Sequence, residues 1–349
     1  MAAHAAVPVP GSWTRYLRGA VAAAVAVAVA VVVVANRAAI DSGGDTLAGA
    51  NLEWLGVALA LVSAVWLAGA ASALGAVPIR PPLRQLLAVQ VAASVVNHLM
   101  PAGVGGMAVN VRYLQRSGMS RSAAVAAVGM SSVATLVTHI ALIASLWFLV
   151  PAVLTGGALS RLAGLASGGL GAVVHRVLPD SSLLAGGAAF VAVGIVVAAA
   201  AAGAVRRRAA VQWLRTVPAR AWAHVRRELR DAGHVLRDPG RAALLWGGSA
   251  ASPGLHALIL LAVYHSLSGG VSGLVVALVY LVATAVAALV PSPGGFGALD
   301  VTLVAGLVAV GAPTTTALGA VLGYRLITVW LPLVPGALVF AFLLRRRIL

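Results

Sequence analysis

Asp300 is the only acidic residue that lies inside an apolar segment of this chain, and Arg325 is a cation inside another. A charge taken from water into hydrocarbon survives by pairing or by facing a wet cavity, so both residues mark a functional candidate. Each is the natural partner of the other. Permanently paired, they hold two helices together; parted by an incoming anion, they act as a polar gate. Asp300 closes the stretch Pro291-Ser292-Pro293-Gly294-Gly295-Phe296-Gly297-Ala298-Leu299-Asp300. Its prolines and glycines oppose helix continuation, which predicts an opened backbone and a second half-helix starting near Gly297 with Asp300 in its first turn. The plainer reading of the same residues is a tight turn between two helices, with Asp300 as the N-terminal cap of the second.

A similar break, Pro101-Ala102-Gly103-Val104-Gly105-Gly106, precedes Asn110 and Arg112. Laid in register, 101–111 and 291–301 share proline, one glycine, alanine and the last valine, and Asn110 falls opposite Asp300. Backbone opened at membrane depth persists only where protein buries it or where it lines a cavity. Broken helices from inverted repeats that meet near the midplane are how many transporters build a site. Half-helix N-termini offer N–H groups to a phosphate or carboxylate, and Arg112 and Arg325 would add full charges that match phosphate oxygens in pairs. The expected substrate-binding set is therefore Pro101, Gly105, Gly106, Asn110, Arg112, Pro293, Gly294, Gly295, Gly297, Asp300 and Arg325. His98, His139 and His256 are either proton shuttles or hydrogen-bonded packing residues. No histidine cluster has ligand spacing and there is no cysteine, so no metal and no cofactor is expected and no thiol chemistry is available.

The elements that must position these residues follow from composition. The 349 residues are 61% hydrophobic and 9% charged, with several apolar runs longer than the roughly 18 residues that span a bilayer as helix. The fold class is an all-α polytopic membrane protein, read as a single transmembrane domain over 1–349. Full spans are expected at 19–36, 52–77, 122–150, 183–205, 242–265 and 317–344. The segments 85–117 and 271–311 are expected as re-entrant helical hairpins that enter from opposite sides. All 24 basic residues are arginine, giving a net charge of +16. Twenty of them fall on one side of this layout, which puts both termini in the cytoplasm and makes anionic inner-leaflet lipid, rather than nucleic acid, the partner of the positive charge. The loop 206–241 alone holds ten arginines, and its apolar stripe of Trp222, Val225, Leu229, Ala232 and Leu236 reads as an amphipathic helix on the membrane surface or packed on the bundle. Exclusive use of arginine suggests a GC-rich bacterium and therefore a bacterial plasma membrane.

Three motifs carry a resemblance. They are the run from Pro101 to Gly118, the run from Pro291 to Asp300, and Gly323-Tyr324-Arg325-Leu326 followed by Trp330-Leu331-Pro332 and Pro335-Gly336. Together they resemble the transmembrane, flippase-like domain of the bacterial lysylphosphatidylglycerol synthases, over roughly residues 15 to 345. The resemblance adds Tyr324 to the candidate site. It also marks a departure, because the family usually has glutamate where this chain has Asp300, a carboxylate retracted by one methylene. It implies translocation of a phospholipid or other polar lipid between leaflets, without the soluble aminoacyl-transferase domain that the full-length synthases carry, and no enzyme activity. Two other readings of the residues stay open: an integral-membrane transferase acting on a lipid-linked substrate, and a small-anion transporter coupled to protons through Asp300. A homo-oligomer is as compatible with the sequence as a monomer.

Overall fold

The computed structural model describes residues 49–100, 104–149, 237–288 and 297–349. Within them every regular element is helical: α1 (Leu52–Ala76), α2 (Leu83–Leu99), α3 (Val104–Arg116), α4 (Arg121–Leu149), α5 (Pro239–Ser266), α6 (Gly273–Ala287), α7 (Ala298–Ala309), α8 (Thr314–Arg325) and α9 (Leu331–Arg345). A π-helical turn, Leu326–Trp330, joins α8 to α9, so that Thr314–Arg345 is one run of 32 residues. Four helical runs are long and apolar enough to cross a bilayer: α1, α4, α5 and the run from α8 to α9. The shortest, α1, has 25 residues, about 38 Å of helix against a hydrocarbon core of about 30 Å. The chain is an all-α, multi-pass membrane protein. These four runs fall on the spans expected at 52–77, 122–150, 242–265 and 317–344; the spans expected at 19–36 and 183–205, and most of the basic segment 206–241, lie outside the described residues.

The antiparallel pair α1 and α5 is the spine. Its interface is made of small residues, which let two backbones approach where lipid supplies no hydrophobic drive. A side chain added at Gly75 would meet the backbone of Arg241 and Leu245, and one at Gly248 the backbone of Ala68 and Ser72. Between these contacts the buried hydroxyls of Ser72 and Ser249 share a hydrogen bond of 2.9 Å. Each end of the pair is tied. At one, the Asn51 N–H donates to the Ser266 carbonyl; at the other, the Arg241 guanidinium donates to the carbonyls of Val77 and Pro78. Asp238 starts α5 by accepting from the N–H groups of Gly240 and Arg241, with Pro239 in the first turn. The helix thus begins three residues before the expected span, and the exposed Asp238 both caps it and pairs with Arg241.

Two shorter pairs pack against this spine. Gly106 lies against Asn97 and Ala93, and Asn110, one turn further on, bonds Gln90, so the partners run in reverse order and α2 and α3 form an antiparallel hairpin. Contacts of Thr302 with Ala283 and of Gly306 with Val279 show the same for α6 and α7. The arms have 17, 13, 15 and 12 residues, about 18–26 Å each, less than the hydrocarbon thickness. The hairpins open toward opposite ends of the bundle. The mouth of α2–α3 shares an apolar cluster with Val77, Ala124, Leu245 and Leu343. The mouth of α6–α7 belongs to a second cluster with Ala58, Val263, Tyr264 and Ala312. Exposed arginines 80, 84, 116, 121, 237, 345, 346 and 347 lie at the first of these ends, while Glu53 lies at the other.

Candidate functional site

Arg325 ends α8, about 18 Å along a run of about 48 Å, and is 5% exposed. Its Nε donates to Asp300 Oδ1 at 2.6 Å, with the two side chains 6% and 31% exposed. The other carboxylate oxygen, Oδ2, accepts the Gly297 N–H at 2.9 Å. One carboxylate therefore caps the N-terminus of its own helix and neutralises an arginine on another; capping and pairing coexist. Gly297 has φ +79°, a left-handed conformation that glycine adopts without strain, and it brings the chain into the first turn of α7. Immediately after Arg325 the helix widens into the π-helical turn. Such turns recur at functional sites. Here Pro332 lacks the N–H that an α-helix would direct at Thr328, whose own hydroxyl donates to the Tyr324 carbonyl at 2.7 Å.

An aromatic cluster extends the site. The buried hydroxyls of Tyr280 on α6 and Tyr324 on α8 share a hydrogen bond of 2.9 Å, with ring centroids 5.6 Å apart. His256 on α5 lies nearly parallel to Tyr280, with centroids 6.3 Å apart, and 6.5 Å from Tyr324. His98, in the last turn of α2, lies within electrostatic range of both Arg325 and His256. Arg325 thus lies near one arm of each hairpin: Asp300 bonds it from the first turn of α7, and His98 in the last turn of α2 is within electrostatic range. The sequence reading passed over Tyr280. A lone phenol in a 15-residue apolar helix was the available signal, since a buried tyrosine hydroxyl needs a partner.

Other predicted residues have different surroundings. Gly105 and Gly106 serve helix contact: a side chain on Gly105 would strike the Val96 carbonyl, and the Gly106 N–H donates to Asn97 Oδ1 at 3.3 Å. Asn110 braces the same hairpin, accepting from Gln90 Nε2 and donating to the Gly106 carbonyl, each at 2.9 Å. It sits in the second turn of α3, whereas Asp300 sits in the first turn of α7, so the aligned pair does not occupy equivalent places. Arg112 is exposed, eight residues past Val104 and about 12 Å along α3 from its tip. The Gly297 N–H is already taken by Asp300. Pro101, Pro293, Gly294 and Gly295 lie outside the described residues. His139 is a packing residue, its Nε2 donating to the Leu281 carbonyl at 2.9 Å across the α4–α6 contact. Among the described residues no group of three metal-ligating side chains occurs.

Helices that cross a membrane, paired short hairpins and a charged pair inside the protein define a class: a polytopic α-helical membrane protein with an internal polar site. The chain belongs to the family of the lysylphosphatidylglycerol synthase TM region, matched over residues 20–336. No curated protein matches the chain. Membership of this family makes it a membrane protein of lipid metabolism or transport.

Proposed function

We propose that this protein is a lipid flippase or related lipid transporter, moving a polar or anionic lipid between the leaflets of a bacterial plasma membrane. The observation that carries the proposal is that two short hairpins opening toward opposite ends of the bundle each bring an arm near Arg325, α7 through its ion pair with Asp300 and α2 through His98. Arms of 12 to 17 residues favour re-entrant hairpins over full crossings. The exposed arginines at one end favour a cytoplasmic location for that end and for the C-terminus beside it. The head group would travel along the polar interior while the acyl chains stay in lipid. At the midplane an anionic group would compete with Asp300 for Arg325, whose guanidinium suits phosphate oxygens. Asp300 is itself held by the Gly297 N–H, so it has a second bond to keep when Arg325 is drawn away.

The test is reconstitution of purified protein into vesicles carrying a trace of fluorescent phospholipid. An impermeant quencher added outside should bleach about half of the label without protein and nearly all of it with protein. Uptake of a soluble anion by the same vesicles, with no lipid movement, would assign the site to the rival small-anion transporter instead.

A further inference from the structure

His98 and His256 lie in the neighbourhood of Arg325 and take no part in its pairing with Asp300. The geometry fixes their chemistry. His256 Nδ1 lies 2.9 Å from the Ser252 carbonyl. A carbonyl only accepts, so Nδ1 carries the hydrogen and Nε2 of the neutral ring is left with its lone pair. That Nε2, and both ring nitrogens of His98, make no hydrogen bond to a described residue. Neither residue is fully buried. Among the described residues the buried side-chain nitrogen or oxygen without a partner is the Tyr113 hydroxyl, which lies in the other cluster. Both histidines are half-buried, whereas Tyr280, Tyr324 and Arg325 are buried. The free nitrogens therefore stand near Arg325 without a hydrogen-bond partner among the described residues.

The charges around these nitrogens are unbalanced in a specific way. The described groups gathered here are His98 from α2, His256 from α5, Tyr280 from α6, Asp300 from α7, and Tyr324 and Arg325 from α8. Asp300 is the sole acid among them and it is engaged by Arg325 and by the Gly297 N–H. Protonating either histidine would set a second cation beside Arg325 with no acid left to offset it. An anion bound among them removes the conflict, and it finds there an arginine, two imidazoles able to become donors, and a phenol pair. One singly charged anion together with one proton adds no net charge to the membrane interior, where unbalanced charge is most costly.

We propose that His98, His256 and Arg325 form a binding site for the phosphate diester of a lipid head group, and that each anion bound there carries a proton in with it. The identity of the ligand as a lipid rests on the function proposed above; the histidine chemistry does not.

The experiment uses the full chain in nanodiscs of zwitterionic lipid, titrated with a short-chain phosphatidylglycerol. Its phosphate diester does not titrate between about pH 5 and 8, so every proton counted comes through the protein. Calorimetry in two buffers of different ionisation enthalpy should show about one proton taken up per lipid, with binding about tenfold tighter for each unit the pH is lowered. That arm needs no variant. In His98→Gln/His256→Gln, lipid should still bind through Arg325, but without proton uptake and with no dependence on pH. Absence of proton uptake by the unaltered protein, or its persistence in the double variant, overturns the site. Competition by inorganic phosphate at equal concentration overturns the lipid assignment. Vesicle scrambling is read separately. A protein that binds with proton uptake but moves no lipid overturns the flippase function and leaves this site standing; one that moves lipid with no proton uptake overturns this site alone.

Discussion

Removing either member of the Asp300–Arg325 pair should destabilise the protein, and the two losses should be unequal. In Asp300→Ala a guanidinium whose side chain is 6% exposed loses its carboxylate. Breaking a buried pair this way costs about 3–5 kcal/mol, and the partial exposure of Asp300 puts this case near 3. Loss of the bond to the Gly297 N–H removes a helix cap and adds about 1 kcal/mol. In Arg325→Ala the orphaned carboxylate is 31% exposed and keeps its Gly297 partner. Solvent screening reduces that cost to about 1–2 kcal/mol. Asp300→Asn should fall between, because its single amide oxygen must serve two donors that the carboxylate serves with two oxygens. Equilibrium unfolding in mixed micelles of dodecyl sulfate and a mild detergent, over both single variants and the double variant, gives the coupling directly. The expected value is about 2 kcal/mol, with Asp300→Ala the weaker of the two singles. A coupling under about 0.5 kcal/mol, or the opposite order, would refute the account of the pair.

Gly105→Ala should loosen the α2–α3 hairpin, since the added carbon meets the Val96 carbonyl, at a cost of about 1–3 kcal/mol. Gly129→Ala in α4 faces open space and should be neutral or slightly stabilising, and thermal unfolding in detergent compares the two. Ser72→Ala should cost about 0.6 kcal/mol by stranding the Ser249 hydroxyl, and adding Ser249→Ala should recover part of it in the same assay. Because the chain has no cysteine, single cysteines report topology without background. Arg84→Cys should label only from the cytoplasmic side and Ser272→Cys only from outside. Val104→Cys, at a hairpin tip, should resist a bulky impermeant reagent from both sides; free labelling from outside would replace the hairpin with full crossings.

The long spans were legible because each apolar run outlasts the bilayer and is bounded by arginine, proline or glycine, which leaves little freedom in placing α1, α4, α5 and the run from α8 to α9. The Asp300–Arg325 contact was legible for a related reason: two opposite charges within apolar segments have few alternatives to each other. The aromatic cluster was not. Nothing local ties Tyr280 to Tyr324 across 44 residues or either to His256, and only the packing of α5, α6 and α8 brings them together. Reading Gly105, Gly106 and Arg112 as a phosphate cradle treated glycines as sources of free N–H groups. In the structure Gly105 and Gly106 pack against α2, because a hairpin of small residues is also the closest way to join two short helices. Asn110 was matched to Asp300 by position in a repeat, yet in place it bonds Gln90 inside its own hairpin.

The most direct measurement of the central claim is the rate of lipid movement by three proteins reconstituted at matched density: the unaltered chain, Asp300→Asn and Asp300→Glu. If an anionic head group passes by competing with Asp300 for Arg325, the charge is what matters. Asp300→Glu should then move lipid at a rate close to that of the unaltered chain, and Asp300→Asn should fall to the rate of protein-free vesicles. Normal lipid movement by Asp300→Asn, in protein shown to be folded and inserted, would contradict a gate built on this pair.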